Sequence, residues 1–403
     1  MVVLRVFVPF AFAYFLSYLF RTINAVIAPD LVRDVGLDAS VLGLLTSVYF
    51  LTFAAFQLPL GILLDRFGPR RTEAGLLLIA TAGALVFAVS STVPSLILGR
   101  ALIGLGVSAC LMGALKAYVL WFPGVRLATV NGLHLAVGSI GAMTATAPVE
   151  AALHLTDWRG LFLGLAALTG VAAVTLFFVV PEREGGASGE TLKAQIKGTL
   201  AVVTHPFFLR IAPLTFTAQG TFLALQTLWA GPWLRDVAGF DRAAAANTLM
   251  LIAGAMLTGF IALGWAAERL EKMGIKPIIV PTVGMSLFIL VQVGLVFQWT
   301  AVAFPLWLIF GFFGTSGIIF FPVLTRAFPS ALAGRVVTAI NLLVFVGAFV
   351  FQWGIGEVID LWPPTEGGYA PAAYRVAFGF LLVLEVLSLG WFFVVRRWLP
   401  VTQ

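Results

Sequence analysis

The chain has 403 residues, is 61% hydrophobic and carries charge on only 10% of them, against roughly 25% in a soluble protein. A water-soluble fold cannot hide that much apolar surface, so lipid is the solvent for most of the chain. The net charge of +6 does not mark a nucleic-acid binder, because the charges are scattered between apolar runs. The single cysteine, Cys110, excludes an internal disulfide.

The first run follows "MVVLR". A signal peptide is set aside, because the run is long, holds Arg21, lacks a small-residue cleavage pattern and has a counterpart later in the chain. Twelve apolar spans are predicted, at 5–28, 40–63, 73–91, 96–121, 128–150, 159–181, 207–231, 244–266, 278–298, 303–328, 336–358 and 374–396. The expected class is an all-α membrane protein of two six-helix bundles, 1–181 and 207–403, joined by a cytoplasmic linker at 182–206. Within the linker, "ETLKAQIKGTLAVV" reads either as a short amphipathic surface helix or as plain loop.

Basic residues set the orientation. Sixteen lie on the side of the N-terminus, six on the other, and Arg21 and Lys116 lie within spans. The positive-inside rule then places both termini and the linker in the cytoplasm of a bacterial-type inner membrane. An error of one span would scramble this asymmetry.

The halves resemble each other in sequence. At an offset of 203, Pro29, Leu31, Gly36, Asp38, Gly61, Asp65 and Arg66 meet Pro232, Leu234, Gly239, Asp241, Gly264, Glu268 and Arg269. The triplet Arg33-Asp34-Val35 recurs one residue out of step as Arg235-Asp236-Val237. Later the offset drifts to 209, where Arg126, Thr129 and Gly138 meet Arg335, Thr338 and Gly347. Six spans per copy give both copies the same orientation, a parallel repeat about an axis along the membrane normal.

The stretch "GILLDRFGPRR" after the second span now has a context. Its residues Gly61, Leu63, Asp65, Arg66, Gly68, Arg70 and Arg71 resemble the loop motif of the major facilitator superfamily, with a weaker copy at Glu268 and Arg269. "GRALIGLG", opening the fourth span, also looks like that family's pattern. The resemblance covers the whole chain and implies a secondary transporter with a substrate site near the bilayer midplane. Physically, Gly61 would permit close helix approach. Asp65 would sit against the positive end of the eleventh span near Val336, favouring the outward-open state. The alternative is a loop that only anchors topology.

Ionisable groups inside spans are functional candidates by default. Tyr14, Tyr18 and Arg21 fall on one helical face. An arginine there costs about 2.5–3.5 kcal/mol at the helix centre unless something compensates it. A guanidinium fork flanked by hydroxyls suits a carboxylate or phosphate; a structural carbonyl or acid is the competing partner. "SYLFRTINAVIAPDL" and "NGLH" resemble the organophosphate and organic-anion branch of the superfamily, which implies a substrate role for Arg21 and His134. The branch's second arginine, on the seventh span, is replaced by Leu223, with Gln226 and Trp229 nearby. One arginine favours a monoanion or zwitterion over a dianionic phosphate. Gln219, Gln226 and Trp233 share another face, read as cavity lining or as interhelical hydrogen bonding. Asn341 and Gln352 are weaker candidates of the same kind. Lys116 either snorkels to the interface or adds positive charge to the cavity. Glu385 is a proton-coupling candidate, with Glu150 and Glu357 as rivals.

No cofactor, metal or enzymatic chemistry is called for, since His, Cys, Asp and Glu do not cluster at ligand or catalytic spacing. Packing explains the seven methionines better than copper transport does. The expected function is secondary active transport of a small organic anion by a lipid-embedded monomer, with a small-molecule substrate, protons as a possible coupling ion and no nucleic acid. The alternative is proton-driven drug efflux, which predicts a proline in the glycine run of the fifth span; "VGSIGAMTATAP" has none before Pro148. A transporter-like sensor and a nitrate porter fit less well, the first for want of a signalling domain and the second for want of asparagine-bearing glycine runs.

Overall fold

A computed structural model describes residues 3–122, 124–182, 192–329, 332–363, 365 and 368–395. Residues 183–191 of the predicted linker lie outside the described residues, as do Arg396 and Arg397 of the topology count. Among the described residues the chain is helical almost throughout, and β structure is limited to an isolated bridge between Thr365 and Gly368.

The first traverse runs through a π turn at Val3–Phe7, α1 (Val8–Thr22) and α2 (Asn24–Val35). The second and third form one run, α3 (Ala39–Val89), which turns at Gly68, where φ is 76° and only glycine is unstrained. Then come α4 (Val93–Gly106) with α5 (Met112–Trp121), α6 (Gly124–Thr144) with α7 (Ala147–Ala152), and α8 (Trp158–Val179). The predicted amphipathic segment is helical as α9 (Leu192–Val203). The seventh traverse joins α10 (Pro206–Leu214), α11 (Gly220–Ala224) and α12 (Ala230–Asp236) through two π turns. The rest are α13 (Arg242–Lys272), α14 (Ile279–Val296), α15 (Ala303–Gly314) with α16 (Phe320–Thr325), α17 (Ala333–Ile359) and α18 (Pro371–Val394). Nine of these segments are each long and apolar enough to cross a bilayer, and Pro206–Asp236 makes a tenth when taken with the helix bent 79° away from it. The fourth and fifth traverses complete the twelve; each is broken once along its length, between α4 and α5 and between α6 and α7.

The chain divides into two compact units, Met1–Leu37 with Leu44–Leu192, and Asp38–Gly43 with Lys193–Gln403. In the first, α1 packs along α6. Gly141 lets the Phe15 carbonyl of α1 come in where any Cβ would collide with it, the small-residue route to close packing in lipid. The end of α2 is tied to the start of α8, where Trp158 Nε1 donates to Asp34 Oδ2 at 3.0 Å. Arg159 Nη1 donates to the Ala88 carbonyl at 3.1 Å and also to that of Ser90, satisfying carbonyls that the end of α3 leaves open. Arg100, one of the six basic residues that the charge count places on the outer side, is fully buried, and its Nη1 donates to the Phe20 carbonyl at 2.9 Å.

The second unit repeats this plan with other residues. Here α11 packs along α17, and a Cβ at Gly347 would lie 2.6 Å from the Phe216 carbonyl. The end of α12 is tied to the start of α18 by Tyr374 Oη, which donates to Asp236 Oδ2 at 2.6 Å. In the loop before α18, burial and then the Asp236 carboxylate push the Tyr369 hydroxyl above its ordinary range. Arg210, counted with the cytoplasmic charges, is buried, and its Nε donates to the Phe392 carbonyl at 3.0 Å.

The sequence repeat is visible in single backbone groups. Gly36 and Gly239 both adopt the left-handed conformation, with φ of 73° and 71°. Asp38 accepts from Val41 N, and Asp241 from Ala244 N, each at 2.7 Å. Each half therefore opens its second traverse with the same glycine turn and the same aspartate cap.

Candidate substrate site

The first unit gathers most of the predicted site residues. Helical periodicity puts Tyr14, Tyr18 and Arg21 on one face of α1, and that face meets α6. Tyr14 stacks on His134 with ring centroids 4.3 Å apart, and its edge meets Tyr18 at 5.0 Å. Gly138, one turn along α6 from His134, leaves the space these two rings occupy. Arg21 is only 7% exposed. Its guanidinium lies 4.5 Å from the Tyr18 ring centre and 5.4 Å from that of Phe53.

Two tyrosines that the sequence reading did not single out complete the group. Tyr49, on α3, takes a hydrogen bond from Arg21 and donates its own proton to the Ser17 carbonyl at 3.2 Å. It stands alone as a polar ring in the run "TSVYFLTF", and that is the signal that could have flagged it. Tyr118, on α5, shares a hydrogen bond of 2.9 Å with His134 Nδ1. The Tyr18 and Phe53 rings compensate the buried guanidinium, each by about 0.5–2 kcal/mol. The result is a positive centre walled by aromatic faces, phenol groups and an imidazole. Such a wall can hold an anionic head by charge-assisted hydrogen bonds and cover the rest of a small molecule with rings. No group of three or more His, Cys, Asp or Glu among the described residues is placed to bind a metal ion.

The sequence model of the Major Facilitator Superfamily matches residues 10–352. The chain belongs to that superfamily. A probable sulfoacetate transporter of Cupriavidus necator is 25% identical over 274 residues, 64% of this chain and 63% of its own length, so the match spans less than two thirds of that relative. A putative tartrate transporter of Agrobacterium vitis is 25% identical over 406 residues, covering 93% of this chain and 87% of the relative. Among solved structures, a bacterial homologue of the human lysosomal transporter Spinster superposes with a TM-score of 0.79 at 18% identity, over 98% of this chain and 97% of that one. A D-xylose–proton symporter superposes with a TM-score of 0.74 at 13% identity, over 100% and 99%. The chain is thus a multi-pass membrane transporter with the twelve-helix major facilitator fold.

In this superfamily member the loop motif makes contacts within the first unit. Asp65 accepts from Lys116, whose ammonium also donates to the Leu64 carbonyl at 2.8 Å. Lys116 is therefore placed on the motif acid, a partner that neither sequence reading of it named. Arg71 pairs with Glu182 at 2.6 Å, and Arg70 donates to the Val180 carbonyl at 3.1 Å, so both arginines hold the end of α8. Arg66 is exposed beside the Phe67 ring, and Gly61 is half-buried on α3. In the weaker copy, Glu268 pairs with Lys272 one turn along α13 at 2.6 Å, while Arg269 is exposed.

The remaining candidates lie in the second unit. Gln226 and Trp229 are buried, and the Trp229 indole N–H donates to the Gln352 carbonyl at 2.9 Å. Gln219 Nε2 donates to the Gly314 carbonyl at 2.8 Å, and Trp233 lies edge-on to Trp307 at 5.6 Å, so this face of the seventh traverse serves packing against α15. Asn341 is half-buried on α17. Glu385 is buried on α18 and accepts from Gln292 Nε2 at 2.5 Å. Glu150 is buried on α7, whereas Glu357 is exposed and accepts from Trp353 Nε1 at 2.8 Å.

Proposed function

We propose that this transporter moves a small organic acid across the cytoplasmic membrane by alternating access, with Arg21 binding the acid's anionic group. The observation that carries this reading is a guanidinium buried on α1 among Tyr14, Tyr18 and Tyr49. The ring faces of Tyr18 and Phe53 and the neighbouring tyrosine hydroxyls moderate the cost of burying the cation. His134 and Tyr118 add a second polar wall. Relatives named for sulfoacetate and tartrate transport support the same substrate class. A single arginine suits one anionic head. Both termini face the cytoplasm in this reading, as the basic-residue bias requires. Transport is driven by proton symport or by exchange.

The test is uptake into proteoliposomes from a panel of small carboxylates, sulfonates, phosphates and cationic drugs, with and without a pH gradient. Saturable carboxylate or sulfonate uptake that Arg21→Ala abolishes is the expected result. Drug transport insensitive to that substitution would overturn the proposal in favour of efflux. The motif is tested separately. If the Asp65–Lys116 pair belongs to a cytoplasmic gate, Asp65→Asn and Lys116→Met should each change the labelling rate of single cysteines placed on the cytoplasmic side; equal labelling would leave the loop a topological anchor.

A further inference from the structure

A second ionisable centre lies in the first unit, at Glu73. The sequence places this residue two positions after Arg71, at the first position of the third predicted span. The turn at Gly68 carries it inward, and its side chain is 0% exposed. Neither carboxylate oxygen accepts a hydrogen bond from an N–H or O–H donor. The polar group beside it is the Cys110 thiol. Across from it stands Gly113 on α5, where any Cβ would collide with Glu73 Oε2. A glycine at that point keeps open a slot that only the acid fills.

The other ionisable groups of this neighbourhood are Cys110, Lys116 and Tyr118 from the fourth traverse, Tyr14 and Arg21 from α1, and His134 from α6. Neither cation is paired with Glu73. Lys116 is held by Asp65 and the Leu64 carbonyl, and Arg21 sits among tyrosines. A carboxylate charge buried with no counter-ion, and with only a weakly donating thiol beside it, is among the most expensive groups a protein can hold, and a bound proton removes that cost.

We propose that Glu73 is a proton-binding site of the transporter, linked to anion binding at Arg21. This rests on the reading of Arg21 given above. The link is electrostatic and runs through shared neighbours. Cys110, beside Glu73, lies on the same traverse as Tyr118, whose hydroxyl is bonded to His134, and the rings of His134, Tyr14 and Tyr18 then run in contact to the Arg21 guanidinium. A proton on Glu73 removes a negative charge from the surroundings of the anion site, so proton and anion each favour the binding of the other. One proton binds the carboxylate and one is released on the far side; no bond is made or broken in the substrate. Glu385 differs in kind, because Gln292 already donates to it.

The experiment compares wild type, Glu73→Gln and Glu73→Asp in proteoliposomes, each checked for folding by thermal unfolding in detergent. Two rates are read: accumulation of labelled tartrate driven by an inward proton gradient, and exchange of labelled for unlabelled tartrate with no gradient. Glu73→Gln, a neutral mimic of the protonated acid, should keep exchange and lose gradient-driven accumulation, while Glu73→Asp retains both. Gradient-driven accumulation by Glu73→Gln at the wild-type rate overturns the proposal. So does loss of both activities in a folded Glu73→Gln, and so does a wild type indifferent to the gradient. If no organic anion is carried at all, the reading of Arg21 fails, and infrared spectra still decide the question for Glu73. The carbonyl band of a protonated carboxylic acid should weaken in Glu73→Gln beyond any loss in Glu385→Gln; an unchanged band overturns the proposal.

Discussion

The two halves share a frame and differ in what it surrounds. Gly36 and Gly239 turn the chain alike, Asp38 and Asp241 cap alike, and an aspartate ending one traverse is tied to an aromatic donor opening another in both. At the level of the site they part. Where the first half has Arg21 with tyrosines around it, the second has Leu223 and Ala224, and its polar groups are absorbed into packing: Gln219 on Gly314, Trp229 on Gln352. A repeat keeps what folds it, namely turns, caps and close helix contacts, and lets the interior charges diverge. The proposed anion-binding chemistry therefore belongs to the first half only.

That assignment is broken most easily at the matching positions. Arg21→Ala removes a buried charged donor, a change worth about 2–5 kcal/mol in comparable interfaces, so uptake efficiency should fall about 30-fold or more. Leu223→Ala should cost uptake far less. Comparable losses at both positions, measured as kcat/KM for tartrate uptake, would mean that the halves share the site.

A smaller effect tests the shared frame. Gly141→Leu and Gly347→Leu each force a side chain against a neighbouring helix backbone, an overpacking cost of about 1–3 kcal/mol. Both should lower the unfolding temperature of the purified protein by similar amounts; a drop in only one would show that the close contacts are not equivalent. The smallest effect is at the caps. Asp241→Ala should cost about 1 kcal/mol. Asp38→Ala should cost less, because Asp360 also accepts from Ala39 N and Ser40 N at that helix start, at 3.0 and 2.7 Å. Denaturation of the two variants side by side measures the difference.

Much of this was legible in the sequence. Long apolar runs and the basic-residue bias give the spans, and a 3.6-residue period puts Tyr14, Tyr18 and Arg21 on one face before any neighbour is known. What the sequence hides is whether a charge near a span end is wet or buried. Arg100 and Arg210 stand near span ends and count with the outer-side and cytoplasmic-side charges, yet each is spent on a carbonyl of a neighbouring helix, Phe20 and Phe392. Glu73 opens the third predicted span just after the motif arginines, and only the Cβ-free position at Gly113 shows where its carboxylate goes. The π turns at Thr215–Gln219 and Leu225–Trp229 leave no periodic trace either, so the lining of the seventh traverse needed coordinates.

Binding itself is the most direct test of the central claim. Calorimetric titration of the purified transporter with the carboxylate or sulfonate that the uptake panel selects should give saturable binding to wild type, weaker binding to Arg21→Lys, which keeps the charge but loses the planar fork, and none to a folded Arg21→Ala. Undiminished affinity in Arg21→Ala would contradict the account, because the anion would then be held by something other than the buried guanidinium of α1.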